Sequence, residues 1–233
     1  MPIFEYSVDT AWVRRYNGPG NYDDCAWDIA IDGSGNVYVT GYSVGSGTSS
    51  DYATIKYKPN GDTAWVRRYN VLGTSDNWPL AIALDGSGNA YVTGVSYASG
   101  TGLDYATMKY DSSGNKLWVQ RYNGAGNCYN CYDFACAIAL DGSNNVYVTG
   151  GSYGIGTSHD YATIKYVQFL RGDCNKNGKI NLSDVILLAN YILKGGPAPI
   201  PLQSGDVNCD GKYTLVDVIL LARYVLFGEP FPC

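Results

Sequence analysis

A chain of 233 residues has room for one large domain, or for a medium one with a small satellite. Only 16% of it is charged while Gly (29) and Tyr (22) abound, which suits many short strands joined by tight turns and excludes disorder. The net charge of -5 with no Lys/Arg cluster excludes nucleic acid as a partner, and no run approaches the ~18 consecutive apolar residues of a membrane span.

From its start the chain reads "MPIFEYSVDTAW", with neither a basic opening nor an apolar run, so no signal peptide is expected in it. Seven Cys with one His and a single CxxC do not form a zinc pattern. Disulfides in an extracellular or cell-surface setting explain them better, with a processed, trimmed or incomplete N-terminus.

Three repeats follow. "AWVRRYNG" (11–18), "AWVRRYN" (64–70) and "LWVQRYNG" (117–124) open units whose Trp12, Trp65 and Trp118 are spaced by 53. Each continues through a DGSGN or DGSNN turn, "YVTG", a Gly/Ser loop and "DYATIKY" or "DYATMKY". The Trp segment, the stretch before the turn, the stretch after it and the DYAT segment each alternate with period 2, and Asp-Gly and Gly-Asn suit tight hairpins. Four strands over about 50 residues is the size of a propeller blade. The units resemble bacterial SBBP β-propeller repeats over residues 3–166. The expected fold is mainly β: three four-stranded propeller-type blades (about 7–59, 60–112 and 113–166) and a small α-helical domain.

An open arc of three blades leaves two apolar faces. A homo-oligomeric ring, a head-to-tail filament, or a place within a longer array would each cover them. "IFEYS" (3–7) aligns with "TIKYK" before the second unit, a spare strand able to join an unpaired edge or lie beside its own blade. No catalytic constellation breaks the repeat symmetry, since Asp24, Asp32 and Asp51 recur as turn and strand-end residues; the chain reads as a non-enzyme. Trp27, Trp78, Tyr129 and Tyr132 do break it, as carbohydrate-stacking residues or as blade core.

Past a linker at 167–171, residues 172–233 change character. "GDCNKNGKINLSDVILLANYILKGG" and "GDVNCDGKYTLVDVILLARYVLFGE" are two loop-helix copies, each helix with an apolar stripe. Oxygen donors fall at loop positions 1, 3, 5, 9 and 12 with Gly at 6: Asp173, Asn175, Asn177, Asn181 and Asp184, then Asp206, Asn208, Asp210, Thr214 and Asp217. Lys179 and Lys212 at position 7 would contribute backbone carbonyls. Hard oxygens at that spacing select Ca2+, at two sites, and the extra carboxylate of loop two favours tighter binding there.

A doubled loop-helix ending in Asp resembles a type I dockerin over 172–230. That resemblance implies docking on a cohesin-like protein through positions 10 and 11 of each loop, here Leu182, Ser183, Leu215 and Val216. The same apolar set would also suit packing on the chain's own propeller.

Cys174 and Cys209 occupy non-ligand positions. Antiparallel helices would return Cys233 to the first loop, so Cys174–Cys233 is the expected disulfide and Cys209–Cys233 the second choice. Cys25, Cys128, Cys131 and Cys136 admit an intersubunit bond from Cys25 to Cys128 or Cys131, or a local Cys128–Cys131 or Cys128–Cys136 bond with Cys25 buried and free.

Overall fold

In a computed structural model describing residues 7–71, 75–126 and 132–233, the period-2 segments become strands around the turns that the Asp-Gly motifs dictate. Asp32 shows how. Its Oδ1 accepts from the Ser34 and Asn36 amides, both at 2.9 Å, and Gly35 takes φ +78°, closing the hairpin between β1 (Asp24–Ile31) and β2 (Val37–Val44). Asp85 and Asp141 repeat the same bonds, with Gly88 and Asn144 at the left-handed position.

The chain divides into two compact units, Met1–Tyr166 and Val167–Cys233. In the first, β1, β2, β3 (Ser50–Tyr57) and β4 (Thr63–Tyr69) make one antiparallel sheet in sequence order. A second sheet holds β5 (Asn77–Leu84), β6 (Ala90–Ala98), β7 (Gly102–Tyr110) and β8 (Lys116–Tyr122). The third holds, among the described residues, β9 (Phe134–Leu140), β10 (Val146–Tyr153) and β11 (His159–Tyr166).

Two expectations are corrected here. Among the described residues the sheets have four, four and three strands, not four each; as an open arc implies, they do not close into a ring. The Trp segment also closes the preceding blade rather than opening its own. Trp65 lies on β4 opposite Lys56, and Trp118 on β8 opposite Lys109, while residues 11–16, with no such partner among the described residues, form no strand. A strand needs an edge to pair with, and period-2 alternation does not say which edge. Residues 3–6 of the spare segment, together with Cys128, Tyr129 and Cys131, lie outside the described residues.

Blade stacking makes the core. Between the first two sheets Tyr38, Tyr52, Trp65, Val92 and Met108 are buried, and Tyr91, Tyr105, Val146 and Val148 fill the next layer. Buried tyrosines keep their hydroxyls bonded to the neighbouring blade: Tyr38 donates to Gly88 O (2.9 Å), Tyr52 to Ala106 O (3.2 Å) and Tyr105 to Ala162 O (3.4 Å). Gly41, Gly94 and Gly150 are required beside the bulge of each inner strand, because a Cβ there would collide with the carbonyl of Cys25, Trp78 or Phe134.

The second unit holds α1 (Leu182–Lys194) and α2 (Leu215–Phe227), joined through the Pro-rich connector and a short 3-10 turn at Leu202–Gly205. Each helix starts in a capping box, Asn181 with Asp184 and Thr214 with Asp217, and ends at a left-handed glycine, Gly195 or Gly228. Cys174, Leu188, Val207 and Leu221 form its fully buried core. Among the described residues no helix is long and apolar enough to cross a membrane.

Candidate calcium loops and docking surface

The two loops make the same turn at an offset of 33 residues. In loop one Asp173 accepts from the amides of Asn177 (3.0 Å) and Gly178 (2.7 Å), and Asn177 Oδ1 accepts from Lys179 N (2.9 Å). In loop two Asp206 accepts from Asp210 N (3.2 Å) and Gly211 N (3.1 Å), and Asp210 Oδ1 accepts from Lys212 N (2.8 Å). Gly178 and Gly211, at φ +80° and +74°, make the sharp turn at position 6.

The position-12 aspartates have two tasks. Asp184 accepts from Asn181 N (2.9 Å), completing the capping box, and its other oxygen accepts from Asn175 N (3.2 Å). Asp217 does the same with Thr214 N (2.8 Å) and Val207 N (3.1 Å). Each carboxylate therefore ties the helix start to the loop start.

Both side chains are fully buried, and neither forms a salt bridge among the described residues. A buried carboxylate left without counter-charge costs several kcal/mol, on the order of the desolvation penalty of an ion. Two such groups beside Asp173, Asp206, Asp210, Asn175 and Asn208 fit a divalent hard cation, which would supply the missing charge. Among the described residues no three His, Cys, Asp or Glu side chains gather as a metal cluster. The donor set itself mixes carboxylates with Asn, Thr and backbone oxygens, the kind calcium takes.

Leu182 (56% exposed), Leu215 (49%) and Val216 (51%) stand out from the first turn of each helix, and Ser183 is exposed beside Leu182. The apolar surface continues one turn on with Ile186 and Ile219, and again at Leu193 and Leu226. The stripe of α1 is thus repeated on α2, with Leu193 and Leu226 exposed at its far end rather than buried between the helices. Periodicity shows which residues share a face but not how far the partner helix reaches along it.

The disulfide joins Cys209 to Cys233, with Cα atoms 6.1 Å apart, and overturns the expected Cys174–Cys233 bond. Loop symmetry explains the difference. Cys174 is the counterpart of Val207 at position 2, where both side chains turn into the core; Cys209 is the counterpart of Lys176 at position 4, where positive φ turns both outward. The C-terminal tail does pass the first loop, since Phe231 packs near Gly172, but Cys174 lies beneath that surface. Burial pushes its thiol pKa upward. Aligning the two loops position by position was the signal available for this.

On the blades, Cys25 is exposed rather than buried, and Cys136 is exposed and free, so no Cys128–Cys136 bond forms. Trp27 (55% exposed) and Tyr132 (45%) are surface residues, whereas Trp78 is half-buried. His159 begins β11 and packs its ring on Phe134 and Tyr153.

The dockerin type I domain model matches residues 171–226, and the beta-propeller repeat (SBBP) model matches residues 11–47 and 64–100. No curated protein matches the chain. The third repeat falls outside these matches, yet β10 and β11 pair in the register of β2 and β3, with Thr149 opposite Thr163 as Thr40 is opposite Thr54. Dockerin type I domains bind calcium and cohesins and occur in extracellular or cell-surface components. The chain carries, in this order, SBBP β-propeller repeats and a type I dockerin domain.

Proposed function

We propose that this is a non-catalytic extracellular adaptor: its dockerin domain, with two bound Ca2+, attaches the chain to a cohesin-like partner while its blades assemble with other copies. The observation carrying the docking half is the doubled apolar stripe, led by Leu182, Ser183, Leu215 and Val216, set at the starts of helices that the calcium loops anchor. Asp173, Asn175, Asn177, Asn181 and Asp184 hold one ion and Asp206, Asn208, Asp210, Thr214 and Asp217 the other, with the carbonyls of Lys179 and Lys212. Each ion would supply the counter-charge that the buried position-12 carboxylate otherwise lacks.

Titrating the full chain against a panel of cohesin domains by calorimetry tests this. Binding is expected with calcium, is lost in EDTA, and is weakened at least tenfold by the double variant Leu182→Asp with Leu215→Asp. Binding that persists in EDTA, or that the double variant leaves unchanged, would refute it. No cohesin binding, with the same stripe protected from hydrogen exchange in the free chain, would assign the surface to the chain's own propeller.

The assembly half is favoured by the two bare blade faces. Trp27, Ile29 and Ile31 are more than half exposed on β1, and Tyr161, whose equivalents Tyr52 and Tyr105 are buried, is 98% exposed. A carbohydrate stacked on Trp27 is the competing occupant of the first face, and glycan binding retained by a monomeric form would favour it.

A further inference from the structure

We propose that residues 11–17 of one copy complete the third blade of a second copy, pairing as its fourth strand along β11, so that copies join head to tail. This rests on the self-assembly reading above and names the contact that would carry it.

The chain contains its own template. β4 serves two blades at once: it pairs with β3 in its own sheet, and it docks on the next blade through Trp65, whose indole donates to Ser112 O (3.2 Å), and Arg67, which donates to Gly114 O (2.6 Å). The Trp65 ring lies 6.2 Å from Tyr110 at 40°. Residues 12–14 are already docked in the same way. Trp12 donates to Pro59 O (3.1 Å), Arg14 donates to Gly61 O (2.7 Å), and the Trp12 ring lies 6.1 Å from Tyr57 at 41°. The segment therefore sits on the first blade where the fourth strand of a preceding blade would sit, with no sheet behind it among the described residues.

The third blade has the complementary lack: among the described strands β11 is an edge, and its alternate residues are exposed. In the two complete blades the fourth-strand arginine is bonded. Arg68 pairs with Asp51 (2.7 Å) and donates to Ser43, and Arg121 pairs with Asp104 (3.1 Å) and donates to Ser96. The matching residues are Arg15 at one end of the first unit, and Asp160 and Ser152 at the other. Arg15 is exposed and forms no salt bridge among the described residues. Asp160 accepts from Thr157 (2.7 Å), as Asp51 does from Thr48 and Asp104 from Thr101, but has no arginine among the described residues.

The register follows from β3–β4 and β7–β8: Tyr16 opposite Tyr161, Arg15 opposite Ala162, Arg14 opposite Thr163, Val13 opposite Ile164, Trp12 opposite Lys165. Tyr16 would cover Tyr161 as Tyr69 covers Tyr52 at 5.7 Å, and Val13, 68% exposed, would gain a neighbour. The groove of about 530 Å3 on the first blade, lined by Trp12, Trp27, Ile29 and Tyr57 among others, is where the face of the partner's third blade would lie. Propellers close with about 4–8 blades, so two three-bladed chains complete a ring and three do not.

Light scattering on the full chain in calcium decides it. The expected mass is twice the 25.2 kDa of one chain. Arg15→Glu and Asp160→Arg should each halve that mass with unchanged circular dichroism, both side chains being exposed, and the double charge-swap variant should restore it. A 25.2 kDa wild-type species would overturn this proposal together with the self-assembly reading. An oligomer indifferent to both single variants, or single variants that the double one does not rescue, would overturn the strand pairing alone. A mass rising with concentration, lost in each single variant and regained in the swap, supports the pairing with a filament in place of the ring.

Discussion

Position 2 of each calcium loop faces the core and position 4 faces solvent, and this alternation decides the chemistry of two cysteines. Cys174 acts as a small apolar side chain among Leu188, Val207 and Leu221. Cys174→Val, which copies Val207, should cost less than ~1.5 kcal/mol, whereas Cys174→Ser buries a hydroxyl and should cost ~1–3 kcal/mol in chemical denaturation. Removing the Cys209–Cys233 bond frees a loop with 24 residues of sequence separation, and Cys209→Ser should lower the stability of this unit by about 3 kcal/mol. Loop two carries three carboxylates to two in loop one, so Asp217→Ala should abolish the tighter phase of a calcium titration and Asp184→Ala the weaker. On the blades, the Asn145 side chain, with the Asn145 and Ser143 amides and the Tyr147 hydroxyl, holds the Asp141 carboxyl down at about 2 against an ordinary 3.8. A depressed folded-state value stabilises the turn above the unfolded value, and the benefit fades as pH falls from 3.8 toward 2. Carboxyl NMR should find its midpoint near 2, and an ordinary midpoint would mean that the turn does not hold the charge.

Among the elements, the fourth strand of each blade shows how far patterning goes. Alternation in "AWVRRYN" marks a strand, and its Trp marks a buried position, but neither says that the strand belongs to the blade before it in sequence. Only the ladder of β3 to β4, with Trp65 opposite Lys56, assigns it. Trp65 is 8% exposed and wedged against Tyr38 and Tyr110, so Trp65→Ala should lower stability by ~3–5 kcal/mol. Trp12→Ala, at a half-buried site with no sheet behind it among the described residues, should cost clearly less in the monomer; equal losses in denaturant melts would contradict this. The helices were more legible. Their capping boxes, left-handed glycines and loop spacing are local features, and local features survive whatever the rest of the chain does.

As a whole, the molecule has separate cores, one built from stacked sheets and one around Cys174, Leu188, Val207 and Leu221, in two compact units. Calorimetry should resolve two transitions, with EDTA lowering only the one assigned to the dockerin domain, since a ligand stabilises the unit that binds it. A single transition shifted bodily by EDTA would show that the units unfold together. The sequence by itself determined the repeat period, the hairpin turns and the two calcium loops, because each is written in residues close together along the chain. Tertiary structure alone decided which blade owns each Trp strand, that the third blade keeps three strands among the described residues, and that Cys233 meets Cys209. Those outcomes turn on which edges and which side chains come together across distant segments, a competition between alternative partners that local pattern leaves degenerate.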